Sequence, residues 1–355
     1  MNTEFLLRVE FSLKIVGIIL FSCWTSACSY PTVDSDSETY EISTTQQSIT
    51  NITNQVADWQ IGHLHDFDGH IRTFRERSRD PREWHQGTFF KGLADWAMES
   101  GDEEKLLWLR DVGSSQEFKL GDRIYHADDH VVGQYYLALY DYFLDPAMFE
   151  PTQSQFDFIL SAPSDVPLDF NLPGVDEGYY KQCLKRWCWS DALFMSPPVW
   201  TKLTRVTGNH DYVDFANKEF WLTVEYLFDK DSGLFFRDSR FFSERESNGE
   251  KIFWSRGNGW VFSGLTDIID NLPNDHPDLE KYTELYLAMA AALLPLQTEE
   301  GFWPVSLRAG DLYPVPETSG TAFFIAGLGW GISSGLLDKD TYLSPVLSGW
   351  GALTR

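Results

Sequence analysis

Residues 130–145 read HVVGQYYLALYDYFLD, an unbroken run in which apolar side chains recur at three- and four-residue spacing. That spacing puts them on one face of a helix, and the next residues end it. The same period returns in FFKGLADWAMES (89–100), PPVWTKLTRVTGN (197–209), YVDFANKEFWLTVEYLFD (212–229), GWVFSGLTDIIDNLP (259–273), YTELYLAMAAALLPLQ (282–297) and TAFFIAGLGWGISSGLLD (321–338). Several of these close on Gly, Asn-Leu-Pro or Asp, which are helix stop signals. Helix following helix predicts an all-α array of antiparallel hairpins, closed or stacked. No fixed-period repeat supports a solenoid. β-like stretches occur only around residues 233–242 and 251–254, which predicts one small hairpin across one face. No linker rich in Pro, Gly or Ser divides the chain after residue 50, so residues 51–355 read as one domain.

Composition narrows the function. The 355 residues carry 53 acidic and 28 basic side chains, a net charge of −25. Nucleic acid is excluded as a partner, because phosphate binding needs clustered Lys and Arg. A hydrophobic fraction of 43% excludes global disorder. The 14 Trp, 15 Tyr and 26 Phe make up 15% of the chain. Aromatic surplus with an acidic surface suits an exported protein that handles sugars.

The N-terminus reads as an address. IVGIILF (15–21), preceded by Arg8 and Lys14, is too short to span a bilayer but fits a signal-peptide core. Small residues precede Cys28 (TSAC) and Cys23 (LFSC), so either cysteine is a candidate for lipidation. Residues 1–28 are expected to be a signal peptide of lipoprotein type and residues 29–50 a polar tether. The protein is then exported and membrane-associated only through a lipid anchor, in the outer membrane or periplasm of a Gram-negative bacterium or at its surface. Simple secretion with cleavage near Ala27 is the alternative. Cys183 and Cys188 (KQCLKRWC) are read as unpaired core thiols, since CxxxxC is neither a zinc site nor a redox motif.

Four clusters bear chemistry. In Trp187-Cys188-Trp189-Ser190-Asp191, a carboxyl between indoles and an apolar run would have a raised pKa, as a general acid needs. Equally, Ser190 and Asp191 would cap the helix announced by Pro197-Pro198, which lowers a carboxyl pKa. His126-Ala127-Asp128-Asp129-His130 holds two adjacent acids at a helix start; either they cap it, or one approaches Asp191 and repulsion keeps a proton on the pair. Trp254-Ser255-Arg256-Gly257-Asn258-Gly259-Trp260 offers a guanidinium fork between indoles, with glycines for close backbone approach or a tight turn. Glu317-Thr318-Ser319-Gly320-Thr321 either caps a small-residue helix or forms a polar rim to the same site. His63, His65, Asp66 and His70 lack a clear fourth ligand, so no metal is expected. GxSxG, P-loop and GxGxxG motifs are absent, and no nucleotide or flavin is implied.

WSDALFMSPPVW, SRGNGW and ETSGTAFF, in that order, resemble the unsaturated rhamnogalacturonyl hydrolases of glycoside hydrolase family 105, relatives of the unsaturated glucuronyl hydrolases of family 88. The resemblance runs from about residue 55 to the C-terminus. It implies an (α/α)6 barrel of six helical hairpins, with the active site in the cavity at one end. It also implies hydration of the C4=C5 vinyl ether that polysaccharide lyases leave at the non-reducing end of their products, with no cofactor and an anionic unsaturated oligosaccharide as partner; no protein partner is inferred. Asp191 matches the general acid/base, and Asp128 or Asp129 the second acid. Trp254 and Arg256 match sugar- and carboxylate-contacting positions, with His130, Trp189, Trp260 and Glu317 as neighbours. Family members often have His where this chain has Arg237, in LFFRDSRFF. An Arg there suits sulfate and hints at unsaturated glucuronyl-rhamnose 3-sulfate from the algal polysaccharide ulvan, with pectin-derived oligosaccharides as the alternative. A catalytically inactive glycan-binding lipoprotein is the rival from another class. The resemblance also leads one to expect residues beyond GWGALTR to complete the last helix, so the sequence is either economical or truncated.

Overall fold

A computed structural model describes residues 46–64, 80–170, 183–273 and 275–355. The helices, in chain order, are α1 (Gln46–Gly62), α2 (Trp84–Ser100), α3 (Glu103–Ser115), the single turn α4 (Ala127–His130), α5 (Val132–Phe143), α6 (Glu150–Ser161), the single turn α7 (Ala192–Met195), α8 (Pro197–Thr207), α9 (Asp211–Leu227), α10 (Ser255–Asn271), α11 (Leu279–Leu293), α12 (Thr318–Ser333) and α13 (Lys339–Leu353). The long helices alternate between an inner and an outer layer. Inner α2, α5, α8, α10 and α12 pack side by side in that order, and α3, α9, α11 and α13 lie outside them. This is the arrangement of the helical barrel expected from the sequence. The segregation follows burial: α5 is buried continuously from Val132 to Leu139, whereas α6 buries only Thr152, Phe156 and Ile159. Outer α1 is tied in by the indole of Trp96, which donates to Asn54 at 2.8 Å.

Local chemistry sets the ends. α2 stops at Gly101, which takes a positive φ of 71° that glycine adopts without strain. Asp102 then caps α3 by accepting from the Lys105 amide. Pro197 and Pro198 open α8, where a missing N–H costs nothing.

Small hairpins are present as expected, with fewer strand residues than the sequence suggests. Phe228–Asp229 (β1) pairs antiparallel with Leu234–Phe235 (β2), and Trp303–Pro304 (β3) with Pro316–Glu317 (β4). Residues 239–241 form a 3-10 turn instead of strand, because the Asp238 carboxylate accepts from the Arg240 amide and curls the chain. Cys183 and Cys188 are disulfide-bonded, with Cα atoms 5.2 Å apart. The unpaired reading fails because the segment between them is non-helical and brings the sulfurs together. Cys23, Cys28 and the leader and most of the tether lie outside the described residues, and α1 already starts at Gln46. Among the described residues no helix is long and apolar enough to cross a membrane.

Candidate active site

Each inner helix is preceded by an outer helix that returns the chain, so the inner helices run parallel and begin on one face. The clusters singled out above all lie at or just before those beginnings, and direct contacts join them. His130 Nδ1 lies 2.7 Å from the Ser196 hydroxyl, linking α4 to the start of α8. The Ser190 amide donates to the Arg237 carbonyl at 2.8 Å, linking α7 to the turn after β2. The Ser255 amide donates to Val305 O at 2.9 Å, and Trp254 bridges Ser306, which anchors the start of α10.

Asp191 sits at the N-cap position of α7 but makes no side-chain capping bond. Its carboxylate instead accepts from the Ser190 hydroxyl at 3.0 Å. Burial raises its pKa above the ordinary carboxylate value, while the guanidiniums of Arg237 and Arg256, and then the Ser190 hydroxyl, pull it down. A carboxyl pushed towards its neutral form beside fixed cations is a proton donor poised next to an anion site.

The guanidiniums are held by aromatic faces and carboxylates. Arg256 lies 4.1 Å from the Trp254 ring centroid, and Arg237 lies 5.8 Å from it. Trp254 therefore stands beside both guanidiniums. Arg256 also reaches Glu317 Oε1 at 3.5 Å and the Ser319 hydroxyl at 3.4 Å. Glu317 caps α12 by accepting from the Gly320 amide, and takes the Ser319 hydroxyl as well. The capping that its sequence allowed is observed, and the same side chain meets Arg256. A Cβ at Gly320 would collide with Ser255 Oγ and Glu317, so only glycine lets α12 approach α10 here. Gly257 and Gly259 lie inside α10, not in a turn, and face Ser190 and Phe323 respectively. The small size of Gly259 lets α10 pack against Phe323 of α12.

The paired acids separate in role. Asp129 is buried and accepts from the Arg123 amide at 2.7 Å and from Arg123 Nε at 2.8 Å, with Arg123 Nη2 completing a fork. Asp128 is more exposed, at 14% of its side chain against 8%, and lies 3.8 Å from His126 Nδ1. The His126 ring in turn lies 5.1 Å from Trp189. His130 is fully buried, and its Nε2 meets Ile124 O at 2.7 Å, so both ring nitrogens are engaged within the protein. Burial pushes its pKa down to about 4, leaving a neutral ring that braces α4. Trp260 is buried among Phe323 at 4.4 Å, Phe194 at 4.8 Å and Trp84 at 6.2 Å. Its place is in the packing beneath the site.

Asp238 and Arg240 are not among the residues that the sequence motifs single out. Asp238 is wholly buried and accepts from Arg237 Nη1 at 2.9 Å and from Arg240 Nε and Nη2, each at 2.8 Å. The signal was present in the RDSR of LFFRDSRFF, where two arginines flank one acid. His63 meets the Trp59 carbonyl at 2.6 Å, while His65, Asp66 and His70 lie outside the described residues. No group of three or more potential metal ligands occurs among the described residues.

The structure is a barrel of paired helices with a half-buried carboxyl, Asp191, close enough to the Arg237 and Arg256 guanidiniums to feel their charge. The family model described as Glycosyl Hydrolase Family 88 matches residues 52–355, and the chain belongs to that family. It is a glycosidase, in the family that the sequence resemblance named as the relative of family 105. The chain is 39% identical over 314 residues to an unsaturated 3S-rhamnoglycuronyl hydrolase of Alteromonas sp. (strain LOR), spanning 87% of this chain and 76% of that protein. A protein of the same name from Formosa agariphila is 32% identical over 281 residues, 77% of this chain and 73% of that one. Among solved structures, a glycosyl hydrolase family 88 protein from Bacteroides vulgatus superposes with a TM-score of 0.66 at 25% identity, covering 84% of this chain and 85% of that one.

Proposed function

We propose that the protein removes the 4,5-unsaturated uronic acid from the non-reducing end of lyase-generated oligosaccharides, with unsaturated glucuronyl-rhamnose 3-sulfate from ulvan as the favoured substrate. The observation that carries this reading is Asp191, raised by burial and flanked by Arg237 and Arg256. The names of the two curated relatives support the substrate class. The guanidiniums hold the uronate carboxylate, which brings the adjacent C4=C5 bond to Asp191. The Asp191 carboxyl gives its proton to C4, and positive charge develops at C5 and the ring oxygen. Water adds at C5 and surrenders a proton to the carboxylate, restoring Asp191. The C5 hemiketal opens to a ketone, C1 becomes a hemiacetal carbon, and its collapse to an aldehyde expels the neighbouring sugar. Protonation at C4 and deprotonation of the water both run through Asp191, so the two-carboxylate spacing of displacing glycosidases does not govern here.

Asp128 is the second acid in this reading, because the Asp129 carboxylate is taken up by Arg123. Export and lipidation at Cys28 or Cys23 complete the proposal, and incorporation of labelled palmitate in a Gram-negative host tests them.

The test of the activity is loss of the ultraviolet absorbance of the conjugated C4=C5 bond, on ulvan-lyase and pectin-lyase disaccharides in parallel. Faster loss on the ulvan product is expected, and Asp191→Asn is expected to slow it by about 100-fold or more, the scale of a general acid. Faster loss on the pectin product would move the assignment to rhamnogalacturonan. No loss on either would leave a glycan-binding protein, and full turnover by Asp191→Asn would remove that residue as the acid.

A further inference from the structure

The guanidiniums at the site continue beyond the two that flank Asp191. Arg256 lies on Trp254 at 4.1 Å, Trp254 neighbours Arg237 at 5.8 Å, Arg237 neighbours the Phe170 ring at 5.9 Å, and Arg240 lies on Phe170 at 3.6 Å. Three cations and two rings thus alternate in a row leading away from the acid. Asp238 fixes the far half of that row. Its two oxygens take Nε and Nη2 of Arg240 as a parallel pair, the Arg240 amide at 3.1 Å, and Nη1 of Arg237. The carboxylate is fully buried, while Arg237 and Arg240 keep 33% and 26% of their side chains exposed. Two long, entropically costly side chains are therefore held ready at the surface, with their forks locked from beneath. A single uronate carboxylate beside Asp191 accounts for Arg256 and Arg237. It does not account for a third guanidinium one ring further out.

We propose that Arg240, together with Arg237, forms a second anion-binding position that selects substrates carrying a sulfate ester on the sugar next to the unsaturated residue, and that Asp238 is the positioning residue for both. The substrate assignment rests on the unsaturated-uronide reading above; the second anion position rests on the row itself.

The experiment compares kcat/KM for the unsaturated disaccharide with and without its sulfate, in the wild-type protein, Arg240→Ala and Arg240→Lys. Loss of the fixed guanidinium charge is expected to lower the sulfated-to-unsulfated ratio about 10-fold or more in Arg240→Ala. Lysine, which keeps the charge without the fork, should restore part of it. Asp238→Asn should lower the same ratio, mainly through KM. A ratio unchanged in Arg240→Ala overturns the proposal, whether both rates fall or neither does. If the wild-type protein turns over neither disaccharide, the hydrolase reading fails separately. The anion position is then read by tryptophan-fluorescence titration with methyl rhamnoside 3-sulfate against methyl rhamnoside. Tighter binding of the sulfated probe that disappears in Arg240→Ala supports it, and equal binding of the two probes overturns it.

Discussion

Burial and two cations compete for the proton on Asp191, and the direction of each effect can be tested. The acid must be protonated to act, so activity falls as pH rises through its pKa. Arg256 lowers that pKa, and removing the cation lets burial prevail. Arg256→Gln is therefore expected to move the alkaline limb of the kcat/KM profile to higher pH, besides weakening substrate binding; a limb that stays or moves down contradicts the electrostatic account. His130 makes the opposite kind of prediction. Its folded pKa is depressed to about 4 from an ordinary 6.5, so between those values the unfolded chain binds the extra proton. Stability is present in full above the unfolded pKa and lost as pH falls towards 4. Denaturant titrations should show about 2 kcal/mol less stability at pH 5 than at pH 7.5, a difference that His130→Gln abolishes. Of the two residues, Asp191 was legible in its own surroundings, since two indoles just before it and an apolar run just after it announce desolvation. His130 looks like a sugar neighbour in the sequence because nothing local says that Ser196 and Ile124 engage both its nitrogens.

The short segments between helices carry most of the chemistry and have the least packing of their own. Residues 183–191 contain two buried indoles and the acid, but no helix until Ala192. They are held by the Cys183–Cys188 bond, by the Ser190–Arg237 backbone contact, and by Thr223, whose hydroxyl donates to Trp187 O at 2.7 Å. Closing so short a loop stabilises a fold by about 2 kcal/mol on chain-entropy grounds. Cys183→Ser with Cys188→Ser should lower thermal stability and, because Trp189 and Asp191 follow directly, lower kcat more than a remote destabilising change of equal size. A loss of stability without the extra loss of kcat would make the bond structural only. The period of apolar residues revealed the inner helices, which are buried on most sides. It missed outer α6, for which three buried positions leave too thin a stripe. It also placed the start of α10 too late, because SRGNG looks like a turn until Ser190 and Phe323 are packed against its glycines.

At the scale of the molecule, a chain of net charge −25 is proposed to admit an anion. The exposed carboxylates repel such a substrate at long range, whereas Arg237 and Arg256 attract it over a few ångströms in a less polar setting. Salt screens the first more than the second, since exposed charges interact through water. Raising ionic strength from about 0.01 M to about 0.3 M is therefore expected to increase kcat/KM about twofold or more. A monotonic decrease would mean that the basic row dominates the approach as well as the binding.

By itself the sequence determined the class of fold, because helical periodicity is a property of neighbours along the chain. It also pointed to Asp191, Arg256 and Arg237, because each stands in a local pattern dense with charge or indole. Tertiary structure alone decided which groups spend themselves on one another. Asp129 is consumed by Arg123, His130 by Ser196 and Ile124, and Trp260 by the core, whereas Asp238 reaches back to hold Arg237 and Arg240 together. Those pairings depend on where helix ends converge in space, and the spacing of residues along a chain does not encode that convergence.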